Sequence, residues 1–224
     1  MIDLVDRIYK NLIFEDRYLL VVEGVKNTLI IALIACILGC LIGLLICSMR
    51  TSKNKGLSIT ARVYIRFFRS TPIVLLLLLT YYVVFANSRL SALVVAIIAF
   101  GFYNGAYVAE IFRSGLKTVK DEQIEASYAM GFSKQQTFRY VILPQAVRVI
   151  FPVYKSEFIN LIKLTAIVGY IGVQDLTRSI DIIRSQTFDA LFPLVFALIL
   201  YFIIIGALTF GLNIIEKRIN PRKA

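Results

Sequence analysis

Apolar residues in this chain are gathered into blocks, and the blocks are long enough to cross a bilayer. A hydrocarbon core of roughly 30 Å takes about 20 helical residues to span. Five such blocks run from about 21 to 49, 65 to 86, 90 to 112, 147 to 170 and 188 to 215. Hydrophobic residues make up 58% of the chain, well above an ordinary soluble domain, and the 17% that are charged fall mostly between the blocks. In lipid each backbone polar group must be satisfied within its own segment. The pattern therefore predicts an all-α membrane protein with five transmembrane helices.

Ahead of the first block, Val5, Ile8, Tyr9, Leu12 and Ile13 share one helical face, with Asp3, Asp6, Arg7 and Lys10 mostly elsewhere. That spacing predicts a short amphipathic helix at the membrane surface. Charges run throughout residues 1–18, so no cleavable signal peptide is expected. Pro72 lies inside the second block and should kink that helix or mark its first turn. The expected organisation is an amphipathic extracytoplasmic lead (1–17), a transmembrane domain (18–215) with a long loop at 113–146, and a cytoplasmic tail (216–224).

The formal net charge is +11, and its distribution sets an orientation. Arg50, Lys53, Lys55, Arg62, Arg66 and Arg69 lie between the first two blocks. Arg113, Lys117, Lys120, Lys134, Arg139 and Arg148 lie between the third and fourth, and Lys217, Arg218, Arg222 and Lys223 lie at the end. Basic loops stay in the cytoplasm, which predicts the N-terminus outside, the C-terminus inside and 171–187 as an outer loop. The same clustering argues for a bilayer partner and against nucleic acid. Histidine is absent, which excludes histidine catalysis and histidine metal ligation. Cys36, Cys40 and Cys47 share a face with Ala32, Gly39 and Gly43, the composition of a close helix contact rather than of a metal site.

The segment 113–146 is neither apolar nor low in complexity. Asp121 through Met130 has a helical pattern, with Gly131 where a left-handed residue would end it. Ser133 and Gln136 form a capping box for a second helix, which Pro144 should stop. Within this segment Glu125-Ala126-Ser127 is followed after three residues by Gly131, and after nine more by Val141-Ile142-Leu143-Pro144. This resembles the "EAA" loop of bacterial ABC importer permeases, with Ser127 in place of an alanine and Val141 in place of an isoleucine. Phe68-Arg69-Ser70-Thr71-Pro72, residues 106–115 and Glu157-Phe158-Ile159 with Leu161-Ile162-Lys163 look like segments of the polar amino-acid permeases of that superfamily.

The resemblance implies a type I importer permease fold and a coupling surface formed by Glu125, Ala126, Ser127, Tyr128, Met130, Gly131 and Phe132. It also implies an ABC ATPase dimer, a second permease subunit (a copy or a paralogue) and an extracytoplasmic amino-acid-binding protein as partners, in a bacterial inner membrane. No G-x-x-x-x-G-K-[ST] phosphate loop occurs in the sequence, so ATP and magnesium belong to the separate ATPase. The chain is expected to bind no cofactor and to be no enzyme.

Polar side chains inside the blocks mark a candidate substrate path, because such groups are costly in lipid. Glu157, Asn160 and Lys163 recur every three residues on one helical face, near the depth where transporters bind. Thr165, Tyr103, Asn104 and Tyr107 are candidates for the same path. A structural pair of Glu157 with Lys155 or Lys163 is the competing expectation, and Glu110 with Arg113 reads as a structural bridge. A stand-alone transporter or channel is the alternative to an ATP-driven importer; such a carrier has no need of the structured loop.

Overall fold

A computed structural model describes residues 4–220 of the chain. Asp3, Arg222 and Lys223 lie outside the described residues. The described residues are almost entirely helical, and they divide into two compact units, 4–36 with 72–100 and 159–208, and 37–71 with 101–158 and 209–220. Among the described residues three helices are long and apolar enough to cross a membrane: α2 (Tyr18–Thr51), α5 (Ala92–Leu116) and α10 (Leu191–Ile219). Two bent helix pairs bring the number to as many as five.

In the first unit the lead is α1 (Leu4–Ile8), a wider π turn (Tyr9–Ile13) and a short 3-10 turn (Phe14–Asp16). Of the apolar face expected here, Val5, Ile8, Tyr9 and Ile13 are exposed, while Leu12 packs against Val21 and the buried residues of 176–183. The lead is held by its polar side: the fully buried Asn11 amide donates to Asp189 at 3.3 Å and to the Arg7 carbonyl at 2.9 Å. The expected second block is not one helix. Thr71 and Pro72 are extended, so α3 (Lys55–Ser70) stops before them and α4 (Ile73–Leu79) starts after them. Proline disfavours a helical residue before it and lacks the donor that would continue the ladder.

The expected outer loop 171–187 is also mostly helix. Gly172 takes a left-handed conformation (φ 79°), and α9 (Leu176–Thr187) follows, capped by the Asp175 carboxylate, which accepts from the Thr177 and Arg178 amides at 3.0 Å each. Leu176, Ile180 and Ile183 pack against Val21 of α2, with Phe196 and Leu200 of α10 alongside. A polar clasp runs beside this cluster. Asn27 Nδ2 donates to the Gln174 carbonyl (2.8 Å), Thr28 Oγ1 accepts from the Leu176 amide (3.1 Å), and Ser179 Oγ donates to the Leu20 carbonyl (2.7 Å).

In the second unit, α2 and α5 interlock. Leu38 and Ile42 of α2 fill the notches over Gly101 and Gly105, while Asn104 and Val108 of α5 fill those over Gly39 and Gly43. A Cβ at any of the four glycines would come within 2.4–2.6 Å of the opposing side chain. Small residues four apart on both helices allow this approach, as the composition of the Cys36–Cys47 stretch predicts. Ala61 and Ile65 of α3 close on Ile46, Cys47 and Ala109.

Pro144 does not stop a helix. The segment α7 (Lys134–Gln136) continues through a π turn (Thr137–Ile142) into α8 (Leu143–Leu164). The wider turn pairs the Leu143 amide with the Phe138 carbonyl, and the Gln145 side chain donates to the Val141 carbonyl at 2.9 Å. These bonds replace part of the ladder that a proline interrupts.

Candidate functional site

The candidate coupling segment is built around α6 (Asp121–Ala129) and its C-terminal turn. Gly131 adopts φ 87°, the Phe132 amide donates to the Ser127 carbonyl (3.1 Å) and the Gly131 amide to the Tyr128 carbonyl (2.9 Å). This paired closure is the Schellman arrangement, which needs a left-handed residue after the helix. The capping box follows at once: the Ser133 amide donates to Gln136 Oε1 (2.8 Å) and the Gln136 amide to Ser133 Oγ (3.3 Å). The turn presents Glu125, Ala126, Tyr128, Met130 and Gly131 outward, with Met130 76% exposed. Phe132 is half-buried beside Tyr140. Ser127 points the other way: it is buried, donates to the Ile124 carbonyl (2.7 Å) and shares a 2.8 Å hydrogen bond with Thr137. That side chain ties the two helices of the loop together rather than facing out.

Among the polar residues of the spans, Tyr103 and Tyr107 lie one turn apart on α5, with the Tyr103 hydroxyl donating to that of Tyr107 at 3.0 Å. The Glu157 carboxylate of α8 and the Arg69 guanidinium of α3 both lie within electrostatic range of Tyr103. Arg69 also sits 5.2 Å from the Tyr107 ring centre, a cation–π contact. The sequence expectation did not include Arg69. Asn104 turns away from this group onto Gly39, fully buried, and neither polar atom of its amide meets a hydrogen-bond partner among the described residues. Asn160 is exposed, one turn beyond Glu157 on α8. Thr165 is fully buried, and its hydroxyl donates to the Ile162 carbonyl at 2.7 Å.

The structure also sorts the ion pairs. Lys155, a candidate partner of Glu157, instead pairs with Glu216 and donates to Asn213 at 2.7 Å. Glu110 and Arg113 form the expected bridge, through contacts of 2.5–3.0 Å. Beside them is a cavity of about 450 Å³ lined by Arg50, Arg62, Arg66, Arg69, Ser70, Tyr107 and Glu110. Single-residue loop counts register those arginines as charge but not as one surface.

Long apolar helices joined through a folded, outward-facing turn define a helical membrane protein. A family model for the binding-protein-dependent transport system inner membrane component matches residues 35–223, and the chain belongs to that family. It is 35% identical over 207 residues to the putative glutamine transport system permease protein GlnP of Rickettsia typhi, covering 92% of this chain and 95% of that protein. The probable glutamine ABC transporter permease protein GlnM of Bacillus subtilis is 29% identical over 206 residues, with the same coverage. Among solved structures, an amino acid ABC transporter crystallised with histidines superposes with a TM-score of 0.86 and 32% identity, covering 97% of this chain and 99% of that one. An inward-facing MetNI methionine ABC transporter superposes at 0.73 and 24% identity over 89% of this chain and 96% of that one, a likeness of fold.

Proposed function

We propose that this chain is the permease subunit of an ATP-driven importer of polar amino acids. The observation that carries the proposal is the exposed turn at Gly131, closed by a Schellman pair on one side and a capping box on the other. A rigid, protruding turn between spans is suited to take up the motion of a separate subunit. Tyr128 and Met130 supply the exposed apolar anchors for an ATPase dimer. ATP and magnesium stay on that dimer. A second permease subunit, a copy or a paralogue, completes the membrane pair, and an extracytoplasmic binding protein delivers the substrate. Family membership weighs against the stand-alone carrier.

The substrate path runs past Glu157, Tyr103 and Tyr107, with Asn160 on the same face of α8. A carboxylate at this depth suits the ammonium that every amino acid carries, and the two hydroxyls and the amide suit polar groups. The buried, internally committed Thr165 has no direct part in this path. Asn104 contributes only if α2 and α5 part at Gly39. Glutamine, which names two of the relatives, fits this lining, as does a basic side chain reaching Glu157. The clustering of basic residues supports an N-terminus outside and a C-terminus inside.

The test is Glu157→Gln in the complex reconstituted with its ATPase and binding protein. Substrate-stimulated ATP hydrolysis should be lost while basal hydrolysis and assembly persist, because the turn at Gly131 is untouched. Normal stimulation by substrate would end the assignment of Glu157. Loss of assembly instead of transport would make Glu157 a structural residue.

A further inference from the structure

Three stripes divide the surface of α3. At about 100° per residue, Ala61 and Ile65 form the buried stripe, Arg62, Arg66 and Arg69 the next, and Ile59, Val63 and Phe67 the third. The third stripe is apolar yet 53–63% exposed. The arginine stripe lies between the buried and the exposed apolar stripes, and with Arg50 it lines the 450 Å³ cavity. Glu110 is the one acid of that lining, and it is already engaged by Arg113 at 2.5 Å, with Arg50 Nε at 4.0 Å. The cavity therefore holds four guanidinium groups against one carboxylate that Arg113 already neutralises.

An ordinary soluble face would not set a row of Ile, Val and Phe beside arginines and leave it uncovered. A helix lying in the headgroup layer does so, dipping its apolar stripe toward acyl chains while its cations meet phosphates. The location agrees: α3 follows the basic end of the span α2, and the chain re-enters apolar sequence at α4. We infer that α3 is an interfacial helix and that Arg50, Arg62, Arg66 and Arg69 form a binding site for the phosphodiester of an anionic phospholipid, whose chains run along Ile59, Val63 and Phe67.

Arginine suits this ligand because its planar fork meets two phosphate oxygens at once. Arg62 and Arg66 are exposed on the helix, and the hydrogen bond from Arg62 Nε to the Ser58 carbonyl is a weak 3.3 Å contact, so both can be changed without emptying a core. The inference uses the membrane location set by the family and is independent of which substrate moves.

The test is lipid retention by the whole transporter complex, read by native mass spectrometry after exchange into neutral detergent with phosphatidylglycerol or phosphatidylcholine. Wild type should hold phosphatidylglycerol in preference. Arg62→Gln with Arg66→Gln should weaken that retention about thirtyfold, at roughly fivefold for each arginine near an anionic surface. Val63→Ser with Phe67→Ser should also weaken it, and inorganic phosphate alone should not displace the lipid. Unchanged retention in the arginine variant would overturn the site. Displacement by inorganic phosphate, with the serine variant behaving as wild type, would make it a free-anion site and overturn the lipid assignment. A cysteine at Ile59 that cross-links efficiently to a second permease subunit would show the stripe to be a protein interface and also overturn it. Native elution on size exclusion separates all these outcomes from misfolding.

Discussion

Gly131 holds the turn of the coupling segment in a conformation that side-chain-bearing residues resist. Its φ is 87°, and a Cβ placed there would meet nothing within 4 Å among the described residues. Any penalty for a side chain is therefore backbone strain and not collision. For an L-residue the left-handed region costs roughly 1–2 kcal/mol, less for asparagine and more for a β-branched residue. Gly131→Ala should raise the free energy of the closed turn by about 1 kcal/mol and Gly131→Val by about 2 to 3 kcal/mol, with Gly131→Asn nearest to glycine. The spans are untouched, so insertion should be normal in all three. An ATPase that recognises only the closed turn sees its affinity fall by the fraction of turns that remain closed. That bounds the loss at about fivefold for alanine and about thirtyfold for a penalty of about 2 kcal/mol at valine, limits approached as the open turn becomes the more populated state. The assay is equilibrium binding of the purified ATPase to each permease variant in nanodiscs, with hydrogen exchange at residues 127–133 reporting the turn itself. Wild-type affinity in Gly131→Val, or an asparagine variant as impaired as valine, would refute the reasoning.

Three further outcomes follow from the geometry. Ser127→Ala should destabilise the coupling segment by about 1 kcal/mol because Thr137 is left buried without its partner, and adding Thr137→Val should recover most of the loss, read by hydrogen exchange over residues 121–142. On a background free of native cysteines, an impermeant thiol reagent added outside should label Ser185→Cys and should reach Gln135→Cys only after the membrane is opened; the opposite pattern would reverse the orientation. Ser179 is unsuited to that experiment because it is fully buried. Burial tends to raise the Asp189 carboxyl, but donation from the Phe192 amide and Asn11, the nearby Arg7 charge and the Leu191 amide together hold it below the usual carboxylate range. A depressed value stabilises the folded state above the unfolded pKa of about 4 and is lost as pH falls through the folded pKa. The lead should accordingly loosen in strong acid, as protection of residues 8–13 will show, and Asp189→Asn should remove most of that pH dependence.

The turn after α6 was legible because its determinants are local. Gly131 follows α6 at the position where a helix closes in a left-handed residue, and Ser133 with Gln136 carries its own capping geometry. The bridge from Glu110 to Arg113 was legible for the same reason, being a neighbour pair on one helix. The small-residue stripe of α2 could be read as a contact surface. The sequence alone did not say that Gly101 and Gly105 would answer it, with each helix supplying both notches and knobs.

What escaped the sequence is polar and distant. Asn27 and Thr28 carry no signal of their own in the sequence, and they are the donor and the acceptor that seat α9, almost 150 residues later. A balanced count of charges made 171–187 look like a loop, although Leu176, Ile180 and Ile183 already carried a helical spacing. Lys155 could be paired on paper with the nearby Glu157; its partner Glu216 is 61 residues away, and nothing in either neighbourhood announces the other. α3 escaped for another reason. A hydropathy window averages its arginines with Phe67 and Phe68 and assigns the first half to a loop and the second to a span. The helix has neither character. Its phase, read one stripe at a time, separates a buried side, a cationic side and an apolar side, and a chain with all three belongs at the boundary between lipid and water. The same arithmetic that locates a core in a soluble helix locates an interface here, because the solvent of this chain is itself layered.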